Sequence, residues 1–371
     1  MLKAVTDKVL SGERITGEDA LEMFRSDDIF TLGRLASHVA DRKNGNKAFF
    51  VVNRHINPTN ICVNRCRFCA FSRSKEQEGA FEFTIEEIIE KLRGGQRAKG
   101  KGKTKGNSSR IAHRSPLPYR EVHIVGGLHP EWPFEHYRTM LSEIKTAFPS
   151  IAIKAFTAVE IDYFSRISGL PVREVLEQLK KSGLQAMPGG GAEIFAEGVR
   201  AKLCPEKISG ERWLDIHRTA HLCGIPTNAT MLYGHVESFE DRVDHLLRLR
   251  QLQDITGGFQ AFIPLAYHPR NTDIGGCYTS GTDDLKTVAI SRLLLDNIPH
   301  MKAYWIMLGE KIAQVSLLFG ADDLDGTVVE EKITHSAGAM TNEGLTRKEL
   351  VNLIKKAGKV PVERDTFYNA V

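Results

Sequence analysis

Eight short apolar runs, nearly every one followed by a helical pattern, constrain the fold of this 371-residue chain more than any other feature. The runs are AFFVVNRHIN at 48–57, EVHIVGG at 121–127, IAIKAFTAV at 151–159, GLQAMPGG at 183–190, PTNATMLYG at 226–234, GFQAFIPLAYH at 258–268, KAYWIMLG at 302–309 and DDLDGTVV at 322–329. Helical patterns fill 84–92, 134–147, 172–182, 210–223, 239–254, 283–297 and 310–319. In one of them Phe239, Val243, Leu246 and Leu247 recur at the spacing that puts side chains on one helix face. Strands and helices in this number and order predict an α/β fold, a (β/α)8 TIM-type barrel, with a doubly wound sheet as the competing arrangement. In either fold, ligands meet the C-terminal ends of the strands, so the residues just after each apolar run are the ones to examine.

Around the barrel, expected over 46–335, residues 1–45 read as a helical extension with a capping box at Thr16 and Asp19. The tail, 336–371, has a second capping box at Thr346 and Glu349, an apolar turn through Leu350, Leu353 and Ile354, and a stop at Gly358. It is expected to pack on the barrel, with the mouth as one place for it. A Gly/Lys/Ser-rich stretch at 94–116 carries no pattern and reads as a solvated insertion on the face opposite the chemistry, with an RNA or anionic-surface contact as the lesser reading.

That stretch holds much of the basic excess, so the net charge of +4 is weak grounds for a nucleic-acid or membrane partner. With 42% hydrophobic and 26% charged residues, the chain is neither disordered nor fibrous. No run approaches the roughly 18 apolar residues of a bilayer span, and the first residues lack the apolar core of a secretion signal. A cytoplasmic enzyme is the expectation.

Six cysteines are present, and three of them, Cys62, Cys66 and Cys69, are packed into a C-x3-C-x2-C array directly after the first apolar run. Three thiolates in a short irregular loop suit an iron–sulfur cluster, since thiolates are the soft ligands such clusters require. A closed zinc or all-cysteine site needs a fourth ligand at matching spacing, and none follows. A zinc or non-redox site, or plain buried thiols, are the bland alternatives. Cys204, Cys223 and Cys277 read as structural or incidental.

Other constellations sit at expected strand ends. VGGLHP offers Gly126 and Gly127, where backbone can approach a ligand closely, or else a plain tight turn. MPGGGAE offers three glycines and Glu193 as a hydroxyl partner, against a plain turn as the alternative. TMLYGHVE offers Leu232, Gly234 and Glu237, the last of which also reads as a helix cap. IPLAYHPRNT gathers His268, Arg270 and Asn271, cationic and amide groups that suit an anionic substrate. On the third run Lys154, Phe156, Ala158 and Glu160 share a face if the strand continues, which places Glu160 high in the barrel.

The array with aromatic Phe68 just before Cys69 resembles the radical S-adenosylmethionine (SAM) family. In that family three cysteines hold a [4Fe–4S] cluster whose remaining iron chelates the methionine part of SAM, and an electron passed to the sulfonium yields a 5′-deoxyadenosyl radical. The resemblance implies the methionine amino group at the Gly126–Gly127 turn and adenine contact through Leu232, Gly234 and Glu237, while the glycines before Glu193 leave room for backbone to approach either ribose or substrate. Thr230 departs from the first glycine of that last pattern.

Across most of the chain, HINPTNICVNRCRFCAFSR, MPGGGAEIF, NATMLYGHVE, QDITGGFQAFIPLAYHPRNT and VPVERDTFYN resemble the aminodeoxyfutalosine synthase family of menaquinone biosynthesis. This resemblance implies addition of the adenosyl radical to the vinyl carbon of 3-[(1-carboxyvinyl)oxy]benzoate, rearrangement and loss of a carboxylate. The implied products are 6-amino-6-deoxyfutalosine, methionine and CO2 or bicarbonate. It also implies a low-potential electron donor of the flavodoxin or ferredoxin type. Candidates for the substrate carboxylates are His55, Arg73, His268, Arg270 and Asn271, with Asn57 and Asn60 nearest the cluster loop. No catalytic residue is assigned, and Glu160, His268, Arg270 and Asn271 are the candidates. Dehypoxanthine futalosine cyclase, which shares much of this vocabulary, is the alternative within the class, and a zinc-holding nucleic-acid or scaffold protein is the alternative outside it.

Overall fold

The computed structural model describes residues 2–94, 119–329, 331–342 and 344–371. Apart from Gly94, the insertion expected at 94–116 lies outside these residues. Three helices come first, α1 (Lys3–Ser11), α2 (Gly17–Arg25) and α3 (Ile29–Asn44). Strands β1 (Lys47–Val51) and β2 (Asn53–Ile56) then run on from one another, and α4 (Ile85–Leu92) follows. Next come β3 (Glu121–Ile124), α5 (Phe134–Ala147), β4 (Ala152–Ala155), α6 (Ala158–Ser168), α7 (Val172–Lys181), α8 (Glu197–Leu203) and α9 (Gly210–Leu222). The order continues with β5 (Thr227–Tyr233), α10 (Phe239–Thr256), β6 (Phe259–Ala266), α11 (Gly281–Leu294), β7 (His300–Met301), α12 (Trp305–Ser316) and β8 (Asp323–Gly326). Short α13 (Ile333–Ser336), then α14 (Arg347–Lys356) and β9 (Val360–Glu363) end the chain.

Parallel pairing runs β2–β3–β4 and β5–β6–β7, and β1 pairs with both β8 and β9. Single bridges join these pieces into a ring: Lys154 to Ala186, Met187 to Thr227, Lys302 to Asp323 and Arg54 to Val329. This is the TIM-type barrel of the sequence reading. Its helices start where side chains satisfy the free N–H groups, with capping boxes at Thr16/Asp19, Thr84/Glu87, Thr157/Glu160, Ser238/Asp241 and Thr346/Glu349. Outside the ring, α3 lies on α11 and α2 on α10, where Phe24 stacks on Phe239 with centroids 4.9 Å apart.

Four expectations need correction. The third strand stops at Ala155, because Phe156 turns to φ 61° and Thr157 caps α6, so Glu160 stands on a helix and not on the strand face. The fourth run contributes only the bridges at Ala186 and Met187, since Pro188 and three glycines end it. The seventh strand is His300–Met301, and the apolar residues from Trp305 onward form the buried face of α12. Only the start of the tail reaches the mouth, where Ala337 lines the cavity, and the rest packs elsewhere. Its β9 extends β1 at the N-terminal end of the barrel, where buried Arg364 meets Asp323 at 2.7 Å and Tyr368 stacks on His300.

Candidate active site

The cysteine loop leaves β2 at Asn57 and is braced by its own polar groups. Asn57 Nδ2 donates to the Val125 carbonyl at 2.8 Å. Asn60 Nδ2 donates to Gly79 O at 2.9 Å, and its Oδ1 accepts the Phe81 N–H at 2.8 Å. Arg73 turns back on the loop, donating to the carbonyls of Ala70 and Ser72. These three side chains hold the loop and do not line the cavity.

Within the loop, Cys66 and Cys69 close a turn through a backbone bond of 2.9 Å. Cys66 is buried and Cys62 and Cys69 half-buried, and all three line one cavity of about 330 Å³. Burial pushes the Cys62 thiol up and the Cys66 thiol up to about 12. Such thiols surrender their protons to a metal centre, where coordination replaces the proton. Among the described residues no three Cys, His, Asp or Glu side chains converge on a single ion. Three thiols spread along one loop instead fit a cluster, whose corners are separate irons.

Around the thiols, Phe68 lines the wall with Lys207 Nζ 4.9 Å above its ring, and Lys207 is paired with Glu193. Burial works against the Lys207 charge, but Cys66 and Glu193 outweigh it and hold the ammonium above the ordinary lysine range. The turn after β3 packs on the loop, with the Gly127 N–H donating to Thr59 O at 2.9 Å. Glu160 stitches this turn to α6. One oxygen accepts the Gly126 N–H at 3.3 Å, and the other accepts the N–H and hydroxyl of Thr157. Burial pushes its carboxyl up to about 7, against those donors.

Leu232 lines the cavity, whereas Gly234 and Glu237 do not. Glu237 accepts the N–H groups of Gly234 and His235 and the guanidinium of Arg242, so it caps its own loop. His268 lines the cavity, its Nε2 donating to Met307 O at 2.9 Å and its Nδ1 without a partner. Arg270 and Asn271 lie outside it. Arg270 sits over the Tyr278 ring, and Asn271 donates to Ser336 O. They support residues 331–341, of which Glu331, Ile333, Thr334 and Ala337 cover one side of the cavity.

Of the floor, the sequence reading named His55 as a substrate candidate and Lys154 on the face of the third run, and missed the rest. His55, His123 and Lys154 are register partners on β2, β3 and β4, so they form one row. The imidazoles of His55 and His123 lie 4.5 Å apart. Lys154 pairs with Glu121 at 2.8 Å, and Lys302 with Asp325 at 2.6 Å. Asn228 and Thr230 join the lining from β5. Period-two spacing would have found several of these: His123 alternates with Val125, Lys302 with Tyr304, and Asp325 with Asp323. The sequence reading followed period two on the third run alone, so the inward charged residues of the other runs were missed.

Among known proteins, residues 256–371 match the family model described as CofH/MqnC C-terminal region. The chain is 46% identical to the aminodeoxyfutalosine synthase of Thermus thermophilus, covering 99% of this chain and 95% of that one. It is 44% identical to the aminodeoxyfutalosine synthase of Streptomyces coelicolor, over 99% and 93%. The 5-amino-6-(D-ribitylamino)uracil–L-tyrosine 4-hydroxyphenyl transferase of Methanopyrus kandleri is 43% identical over 88% and 85%. In structure, methylornithine synthase superposes with a TM-score of 0.73 at 17% identity, covering 96% of both chains, which speaks for the fold. Enzymes matched over nearly the whole chain set aside the reading as a zinc-holding scaffold.

Proposed function

Because the chain belongs to the aminodeoxyfutalosine synthase family of radical SAM enzymes, we propose that it joins the adenosyl group of SAM to 3-[(1-carboxyvinyl)oxy]benzoate, giving 6-amino-6-deoxyfutalosine. When bound, a [4Fe–4S] cluster on Cys62, Cys66 and Cys69 supplies the electron that splits SAM into methionine and a 5′-deoxyadenosyl radical. A low-potential flavodoxin or ferredoxin is the proposed source of that electron.

The chain's own work is to enclose and to orient. Leu232, Ile263 and Leu265 give the cavity apolar walls that keep water from a reactive radical. Glu160 ties the Gly126–Gly127 turn to α6, and the Gly127 N–H ties the same turn to the cysteine loop at Thr59 O. Glu193, held by Lys207, stands ready for a ribose hydroxyl. The basic and amide groups of the floor face an acid that must be held with its vinyl carbon near the adenosyl carbon.

One observation carries the reading: three thiols of a single loop share one cavity with the row of His55, His123 and Lys154. The test is mass analysis of products from the reduced, reconstituted enzyme with SAM and the carboxyvinyl ether. An adenosyl adduct that has lost one carboxylate supports the synthase. Free 5′-deoxyadenosine as the main product would defeat it and favour the cyclase, and turnover of L-tyrosine with 5-amino-6-(D-ribitylamino)uracil alone would favour the transferase.

No helix of the described residues is long and apolar enough to cross a membrane.

A further inference from the structure

We propose that His55 and His123, flanked by Lys154 and Lys302, form the subsite for the ring carboxylate of the substrate and set the preference for a dicarboxylate over the matching monocarboxylate. The inference rests on the function proposed above and names how that same cavity chooses its ligand.

Depth comes first. His55, His123, Lys154, Lys302 and Asp325 line the cavity, whereas Asn53, Glu121 and Asp323, one inward step lower on the same strands, do not. This row is therefore the floor, and the cysteines, which follow the strand end, are at the mouth. In the substrate one carboxylate is attached directly to the reacting double bond and must stay near the mouth. The other lies across the aromatic ring, and only it reaches the floor.

Chemistry comes second. His55 is 6% exposed, and its Nε2 has no hydrogen-bond partner. Buried polar atoms are nearly always satisfied, so an unpartnered one on a residue that lines a cavity marks a place where a ligand completes the bonding. The lysine ammonium has three N–H groups, and Lys154 and Lys302 each spend one on a carboxylate, Glu121 and Asp325. Each ammonium therefore keeps N–H groups for an anion, beside Asp325 and Glu331 in the same lining.

Charge comes third. The groups facing the two imidazoles are Glu121 on β3, Lys154 on β4, Lys302 after β7, Asp325 on β8 and Glu331 beyond it. Two lysines oppose three carboxylates, and burial holds both imidazoles neutral. An arriving carboxylate adds negative charge and draws a proton onto the pair. Because the rings are in contact, one proton is taken up and not two.

The experiment measures binding to anaerobic, reconstituted holoenzyme with SAM and no reductant, so that nothing turns over. The probes are 3-[(1-carboxyvinyl)oxy]benzoate and 2-phenoxyacrylate, which lacks the ring carboxylate. Wild type should prefer the dicarboxylate by about a hundredfold, and His55→Gln should cut that preference by about tenfold while 2-phenoxyacrylate binds within about twofold of wild type. His123→Asn should act in the same direction. Calorimetry in buffers of different ionisation enthalpy should show about one proton taken up with the dicarboxylate and none with the monocarboxylate. An unchanged preference in both variants, or no proton uptake, overturns the subsite. If wild type still forms the adenosyl adduct in that event, the proposed function stands and only the subsite fails. Binding of neither probe to wild type overturns both.

Discussion

Gly127 lies so close to Ile61 that a Cβ placed on it would stand 2.2 Å from the Ile61 carbonyl oxygen and 2.7 Å from its carbonyl carbon. Both atoms are backbone of the cysteine loop, so the glycine is required by the approach of the loop to the turn after β3. Gly127→Ala should displace the loop and lower bound iron and sulfide to a small fraction of wild type. Gly126→Ala, whose Cβ would meet Thr59 O at 3.1 Å, should cost far less. Iron and sulfide analysis of the two reconstituted variants checks the difference.

At the opposite end of the barrel, Arg364 and Asp323 are fully buried and 2.7 Å apart. Removing one partner leaves a charge with no water to stabilise it, so Asp323→Asn should cost about 3–5 kcal/mol. The Arg14–Asp254 pair is about as short but 47% and 40% exposed on its two sides, and Asp254→Asn should cost under about 1 kcal/mol. Chemical denaturation of the two variants against wild type compares them, and equal losses would contradict the burial argument.

The segment over the mouth carries a pH dependence of known sign. His335 donates to Glu331, and that bond raises its pKa from the usual 6.5 to about 9. A raised histidine stabilises fully below 6.5 and loses its contribution as pH climbs through 9. Glu331 is shifted down despite its burial, chiefly by the His335 bond, so its share is present above the usual 4.5 and lost as pH falls. Residues 331–341 should hold tightest between about 4.5 and 6.5 and loosen toward pH 9. Hydrogen exchange across this range, with His335→Gln as the pH-insensitive comparison, reads it directly.

Much of the barrel was legible in the sequence because its strands and helices carry the two periodicities cleanly. The failures have physical causes. Trp305, Ile306 and Leu308 are apolar on all sides because α12 begins buried, and a short apolar run does not tell strand from helix. Thr157 and Glu160 form a capping box, a helix-start pattern that outweighed the apolar run before it. At the site, Arg73, Arg270 and Asn271 looked like substrate groups by charge and position, yet each meets a neighbouring carbonyl or ring. Period two places Lys302 and Asp325 on inward faces, but their pairing joins separate strands, and no local pattern announces that.

The most direct test is electron paramagnetic resonance of the reduced, reconstituted enzyme with and without SAM. A [4Fe–4S] signal that shifts when SAM is added is expected in wild type and in a Cys223→Ser, Cys277→Ser variant, and no such signal in Cys62→Ser, Cys66→Ser, Cys69→Ser. A cluster signal that survives the loss of those three thiols, or one that SAM leaves unmoved, would contradict the assignment of the cysteine loop as the site where SAM is cleaved.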